Sequence, residues 1–461
     1  MRLSTNKIDY IFEHLRQHWL PEKRLTDAFL ILDPDKPVPE NLRERIIFCL
    51  SDQEVPQVMN LYDEGERIPV LFPLSDDISL FKMDQDGNLW FSHDYLSSAF
   101  YLLSGMQELD KTKLDEHKRF PYSMSIQKGY DFISKPVVNY YFEIILKGFE
   151  CFAKRHNIEV KRQGLFPNFG FLLSHDVDRV AFHHPRNLIY KILQITGIRP
   201  CIESKSKIFK NVLSGLRYHL KLFGGKDPWW NFQWMIDLEM RLGIRSVFFF
   251  LHKEESFKNA WYRFSSAKIK DLISVLKDKK FEVGVHGTFK SSTNYKSLVE
   301  QKNALMQVYG EEPIGIRQHF LCFSLPLTFN IQESAGFTYD SSLTFHDHDG
   351  YRNSYCYPFH PYDFDNDCIM RIWEIPLVMM EVSALQYRQL SFNELREEVQ
   401  SYIREAKKFG GLFSLLWHNC RLYDEENAGV SEFYEGLLEE IVDHNPDSLT
   451  GAALMQSLRK D

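Results

Sequence analysis

From residue 168 to residue 420 the chain alternates short, nearly continuous apolar runs with stretches whose apolar residues recur at helical spacing. The runs at 169–174, 246–251, 281–285, 315–317, 337–340, 373–376 and 412–417 read as strands. The periodic stretches at 232–242, 267–277, 295–309, 327–334 and 392–409 read as helices. Such alternation predicts a parallel α/β sheet, and chemistry in these sheets collects at the C-terminal ends of the strands.

The chain ahead of this region is patterned differently. Residues 9–20 predict an amphipathic helix stopped by Pro21. Short apolar segments at 28–32, 45–50, 68–72, 78–82 and 89–91 then alternate with Pro, Asp and Gly clusters, as in a small mixed α/β unit. Further helices are expected at 95–103 and 137–155. A boundary near residue 130 divides an accessory domain, 1–130, from a catalytic domain, 131–461. Inside the latter the pattern breaks at 185–226, where Lys191, Arg199, Lys205, Lys207, Lys210, Arg217, Lys221 and Lys226 face the lone acid Glu203. The plainer reading is a solvated basic insertion; the other is a peripheral contact with an anionic membrane.

Composition narrows the partners. A chain of 461 residues with 44% hydrophobic and 26% charged residues has material for more than one packed domain. Its net charge of −8 and pI of about 6.1 exclude nucleic acid as the main partner. The 15% aromatic content can stack sugars, but most of it is core material. Seven cysteines without a Cys-x-x-Cys pair suggest neither a zinc ribbon nor a disulfide framework. The first residues form no apolar leader and no apolar run is long enough to span a bilayer, so a cytoplasmic location is expected.

Five predicted strands end in chemistry-bearing side chains. The first runs into His175-Asp176-Val177-Asp178-Arg179, two carboxylates at i and i+2 on one side of an extended chain. Close carboxylates repel unless a cation or proton intervenes; the same pair can also cap the following turn with Arg179 as counter-ion. The others end in Val285-His286-Gly287, Ile316-Arg317-Gln318-His319, Tyr339-Asp340-Ser341-Ser342 and Leu415-Leu416-Trp417-His418. A lone histidine at a strand end is usually structural. Five such ends on the edge where α/β enzymes keep their sites are not easily an accident and point to a functional site, for a metal or for acid–base work.

The order of these motifs resembles the polysaccharide deacetylases, the NodB-homology carbohydrate esterases, in the branch with Asp-x-Asp in place of adjacent aspartates. The resemblance spans residues 168–420 and implies a distorted (β/α) barrel preceded by the small N-terminal unit. It implies Asp176 as the general base, Arg317 as its orienting partner, His418 as the general acid and Asp340 as a group orienting His418. Asp178 and His286 would hold a divalent metal, zinc by preference. The substrate implied is an acetyl amide or ester on a glycan or on a nucleotide- or lipid-linked glycan precursor of surface-polysaccharide synthesis.

One departure stands out. The family's His-x-x-x-His motif reads His286-Gly-Thr-Phe-Lys290 here, and a charged lysine is no ligand. His319 is the candidate third ligand, whereas His175 should face away from Asp176. Two alternatives stay open: a non-catalytic carbohydrate-binding or degenerate protein of this fold, and a hydrolase of cyclic amides.

Overall fold

The computed structural model describes residues 2–198, 205–220, 227–253 and 259–459. It divides into two compact units, one of Met1–Leu172, Ser292–Tyr295 and Phe320–Leu415, the other of Leu173–Ser291, Lys296–His319 and Leu416–Asp461.

In the first unit the N-terminal helix is Thr5–Leu15, not 9–20. Ser4 sets its start by accepting a hydrogen bond from the Lys7 N–H, and Trp19–Leu20 instead pairs antiparallel with Lys161–Arg162. A four-stranded sheet follows, in the order Phe29–Leu32, Ile46–Cys49, Leu89–Phe91, Phe81–Met83. A hairpin, Met59–Asp63 with Glu66–Val70, turns on Glu64 and Gly65, both at positive φ, and its first strand has no counterpart among the expected segments. The helix Val137–His156 packs its aromatic face on that sheet, with Phe149 stacked 5.1 Å from Phe29. The helices Leu327–Ser334 and Phe392–Phe409 form where the periodicity places them.

The second unit is built on parallel strands. We label them β1 (Gly170–Val177), β2 (Val247–Leu251), β3 (Glu282–Gly287), β4 (Gly315–Gln318) and β5 (Leu412–Leu416); β1 and β5 each run from the first unit into the second. Every residue of all five is buried, which is why their apolar runs show no alternation. β1 pairs with β2, β2 with β3 and β3 with β4, all parallel. The order follows the sequence without reversing, the winding of a (β/α) barrel rather than of a doubly wound sheet. The helix between β2 and β3, Ala267–Asp278, buries Ile269, Leu272, Ile273 and Leu276, one stripe at i, i+3, i+4 and i+7.

Among the described residues of the basic segment 185–226 are two helices, α1 (Pro185–Ile195) and α2 (Lys205–His219). Gly215 lets them approach, since a Cβ there would lie 3.2 Å from Leu188. Of its expected cations, Arg199, Lys221 and Lys226, like Glu203, lie outside the described residues. Among the described residues no helix is long and apolar enough to cross a membrane.

Candidate active site

β1 ends by delivering Asp176 and Asp178 to one side and His175 to the other. His175 is buried with Nδ1 2.7 Å from the Trp417 carbonyl and Nε2 2.9 Å from Glu239 Oε1, so it belongs to the packing behind the site. The Trp417 N–H in turn donates to the Ser174 carbonyl, which brings the chain leaving β5, and hence His418, beside β1.

Asp176 is buried, and one of its oxygens accepts from Arg317 Nη1 at 3.0 Å. The other faces His286 Nε2 at 3.5 Å and His418 Nε2 at 3.9 Å. Burial pushes this carboxyl up, but His286, Arg317 and His418 outweigh it and hold it below its ordinary value. Arg317 has no exposed surface; it also donates to Ser174 Oγ at 2.9 Å and stacks on the Phe249 ring at 4.6 Å.

Asp178 sits among the imidazoles. Its Oδ1 is 3.3 Å from His286 Nε2, and its Oδ2 is 3.4 Å from His319 Nε2 and 3.9 Å from His418 Nε2. One donor atom from each of Asp178, His286 and His319 lies within 4.8 Å of the other two. Burial raises the Asp178 carboxyl, yet His319 and His286 hold it well below the ordinary range. Burial lowers His286, and Asp176 and Asp178 reverse that to a raised value; for His319 burial prevails and the value is lowered.

A divalent cation fits these residues. His286 Nδ1 lies 2.9 Å from the Arg317 carbonyl, which can only accept, so in the neutral ring Nδ1–H donates to it and the Nε2 lone pair points at the two carboxylates. Asp178 Oδ1 is buried with no hydrogen-bond partner of its own. A lone pair facing carboxylate oxygens is repulsive unless a proton or a metal lies between them. The 3.3 Å from His286 to Oδ1 and the 3.4 Å from His319 to Oδ2 are each the spacing of two ligand atoms about 2.0–2.2 Å from one ion, so an ion between the carboxylate and the two rings is in reach of all three residues. One carboxylate and two imidazoles form a common catalytic zinc set. His319 could supply the third ligand that Lys290 cannot.

Six of the expected site residues therefore come together: Asp176, Asp178, His286, Arg317, His319 and His418. Asp340 belongs to the other unit. There it is buried and accepts hydrogen bonds from Gln332 Nε2 at 2.7 Å, the Ser342 N–H at 2.7 Å and Ser342 Oγ at 2.8 Å, with burial raising its carboxyl. Two participants carried little or no signal in the sequence. Ser174, which steadies Arg317, stands two residues before Asp176 on the same side of β1, a spacing that could have marked it. Tyr262 binds the Val177 carbonyl through its hydroxyl and receives the Leu251 N–H at 3.0 Å, tying the ends of β1 and β2; nothing local distinguishes it from a core tyrosine.

The model of a family of unknown function, DUF7033, matches residues 2–152. No curated protein matches the sequence. Among solved structures, one described as a polysaccharide deacetylase from Mycobacterium smegmatis has 12% identity and a TM-score of 0.41, over 64% of this chain and 92% of that one. The Puue allantoinase has 13% identity and a TM-score of 0.41, over 65% and 94%. A CE4-family pseudoenzyme from Bacillus anthracis has 8% identity and a TM-score of 0.31, over 63% and 66%.

Proposed function

We propose that the chain is a metal-assisted hydrolase that removes an acetyl group from an amide or ester of a glycan or glycan precursor. The observation that carries this reading is the division of labour between two carboxylates on one strand end. Asp178 faces two imidazoles at ligand spacing, while Asp176 is held off by Arg317 with one oxygen turned toward His418. A protein that only binds sugar has no use for a base and an acid beside a ligand set.

In this reading Asp178, His286 and His319 hold a divalent ion, zinc by preference, which supplies polarisation of the acetyl carbonyl and a more acidic water. Asp176 takes the proton of the attacking water, and Arg317 fixes which oxygen does so. His418, part-exposed at the mouth of the site, gives a proton to the departing nitrogen or oxygen. The parallel sheet is read as part of the deacetylase-type barrel, with 131–461 as the catalytic portion and 1–130 as an accessory one. A cytoplasmic site of action remains part of this proposal.

The test is elemental analysis of the purified protein joined to an acetate-release assay on acetylated amino sugars. Bound metal with release that vanishes in Asp178→Ala supports the reading. A metal-free protein that releases nothing after zinc is added sinks it and leaves the carbohydrate-binding alternative.

A further inference from the structure

Lys290, the residue standing where the family's second histidine is expected, lines a cavity of about 970 Å³ in the second unit. Among the described residues its walls carry Arg186, Lys253, Arg263 and Lys290 against the single carboxylate Glu300, with His252 on the same wall. Cations on ordinary protein surfaces are interspersed with acids. Here Lys253, Arg263 and Lys290 form no ion pair with any described residue.

The cavity adjoins the candidate active site through bonded and packed neighbours. His252 directly follows Leu251, which pairs with His286 across β2 and β3. Arg179, next to Asp178, lies over the Trp261 ring at 4.3 Å; that ring packs 5.1 Å from His184, whose Nδ1 accepts the Arg186 N–H at 3.2 Å. Arg186 opens α1 at the cavity, and one turn later α1 presents Ile189 and Ile192 to solvent, 57% and 41% exposed.

We propose that this cavity binds the diphosphate of a diphosphate-linked acetamido sugar, placing the acetyl group at Asp178, His286 and His319. The proposal rests on the hydrolase reading above and names its substrate class. A single carboxylate, as in a uronic acid, balances one cation; a diphosphate carries enough charge and acceptor oxygens for several, and guanidinium forks match it bidentately. The volume lies in the range of small-molecule sites and has room for a sugar beside the two phosphates. The diphosphate can come from a nucleotide sugar or from a lipid-linked one, and the exposed isoleucines of α1 make the second a distinct arm of the test.

The experiment is calorimetric titration of the full chain with inorganic pyrophosphate in metal-free buffer. Wild type and Asp178→Ala should bind alike, since the site is made by the cavity cations. Arg263→Ala/Lys290→Ala should bind about 10–100-fold more weakly, and Lys253→Ala more weakly to a lesser degree. No saturable binding by wild type, or equal binding by a folded double variant, overturns the proposal. Should the double variant fail to fold, Lys290→Gln replaces it with the same expectation. Parallel titrations with a nucleoside diphosphate and with vesicles carrying a polyprenyl diphosphate distinguish the two sources; tighter binding of either than of pyrophosphate supports the proposal. Acetate release without pyrophosphate binding sinks the diphosphate site alone, whereas pyrophosphate binding without acetate release sinks the hydrolase reading alone.

Discussion

Arg317 Nη1 lies 3.0 Å from Asp176 Oδ1, and the guanidinium has no exposed surface. A buried pair of this kind holds only because each charge answers the other, and removing one partner leaves the second uncompensated. Arg317→Ala should therefore lower unfolding stability by about 3–5 kcal/mol, measured by urea denaturation. Asp176→Asn keeps a hydrogen-bond acceptor at the same place and should cost less stability while costing more activity. The reverse ranking would show that the pair serves the fold alone.

The base and acid can be separated by their pH dependence. Asp176→Asn and His418→Ala should each reduce turnover about 10²–10⁴-fold, and the double variant by far less than the product. Asp176 is held below its ordinary value, so if it is the base of the proposed mechanism its activity should be lost only at low pH, on the acidic limb of the profile. If His418 is the acid of the proposed mechanism, His418→Ala should change the other limb of the profile. Profiles unchanged in shape in both variants would assign the two residues to structure.

Metal binding should follow the protonation of His286. Burial lowers its value, but the carboxylates of Asp176 and Asp178 raise it above the ordinary one, so in the metal-free protein the ring keeps its proton over a wider range. That proton must leave for Nε2 to ligate, so zinc affinity should rise with pH until His286 has titrated and then level off. Competition with a chromophoric chelator across pH 5–9 reads this directly. A His286→Gln protein should bind more weakly with a flatter dependence.

The row behind the site is closely packed. A Cβ on Gly284 would lie 2.5 Å from the Phe249 ring, the ring on which Arg317 stacks. Gly284→Ala should cost about 1–3 kcal/mol by overpacking and reduce turnover through the displaced Arg317. Thermal unfolding together with kcat tests both parts; full activity in a destabilised variant would uncouple the ring from the site.

Acid sensitivity should arise far from the chemistry. His14 Nε2 accepts the His360 N–H at 3.0 Å and Nδ1 meets the Tyr10 carbonyl at 2.7 Å, which fixes a neutral ring. Burial lowers its value to about 3, and burial likewise lowers His18 to about 3. Below the unfolded value near 6.5 the unfolded chain takes up protons that the folded rings refuse. Stability is thus fully present above about pH 6.5 and falls as pH drops toward 3. His14→Gln, which offers a donor and an acceptor without titrating, should flatten part of that fall in a Tm-against-pH series.

The sequence by itself determined where the strands run and which side chains stand at their ends. Apolar runs and helical periods are local properties, and burial of β1 to β5 left them nearly uninterrupted. Hence Tyr295–Tyr309, Leu327–Ser334 and Phe392–Phe409 form at their expected bounds. Local pattern was weaker at the N-terminus, where the Ser4 cap moved the helix and long-range pairing drew Trp19 into a strand. Tertiary structure alone decided which strand ends meet. The register of β3 on β4 sets His286 beside Arg317, and the end of β4 brings His319 to Asp178 while Lys290 turns to a cavity. It also engages Asp340 with Gln332 and Ser342. Sequence spacing names the residues on a strand end, but distances between strands come from lateral packing, which no single segment encodes.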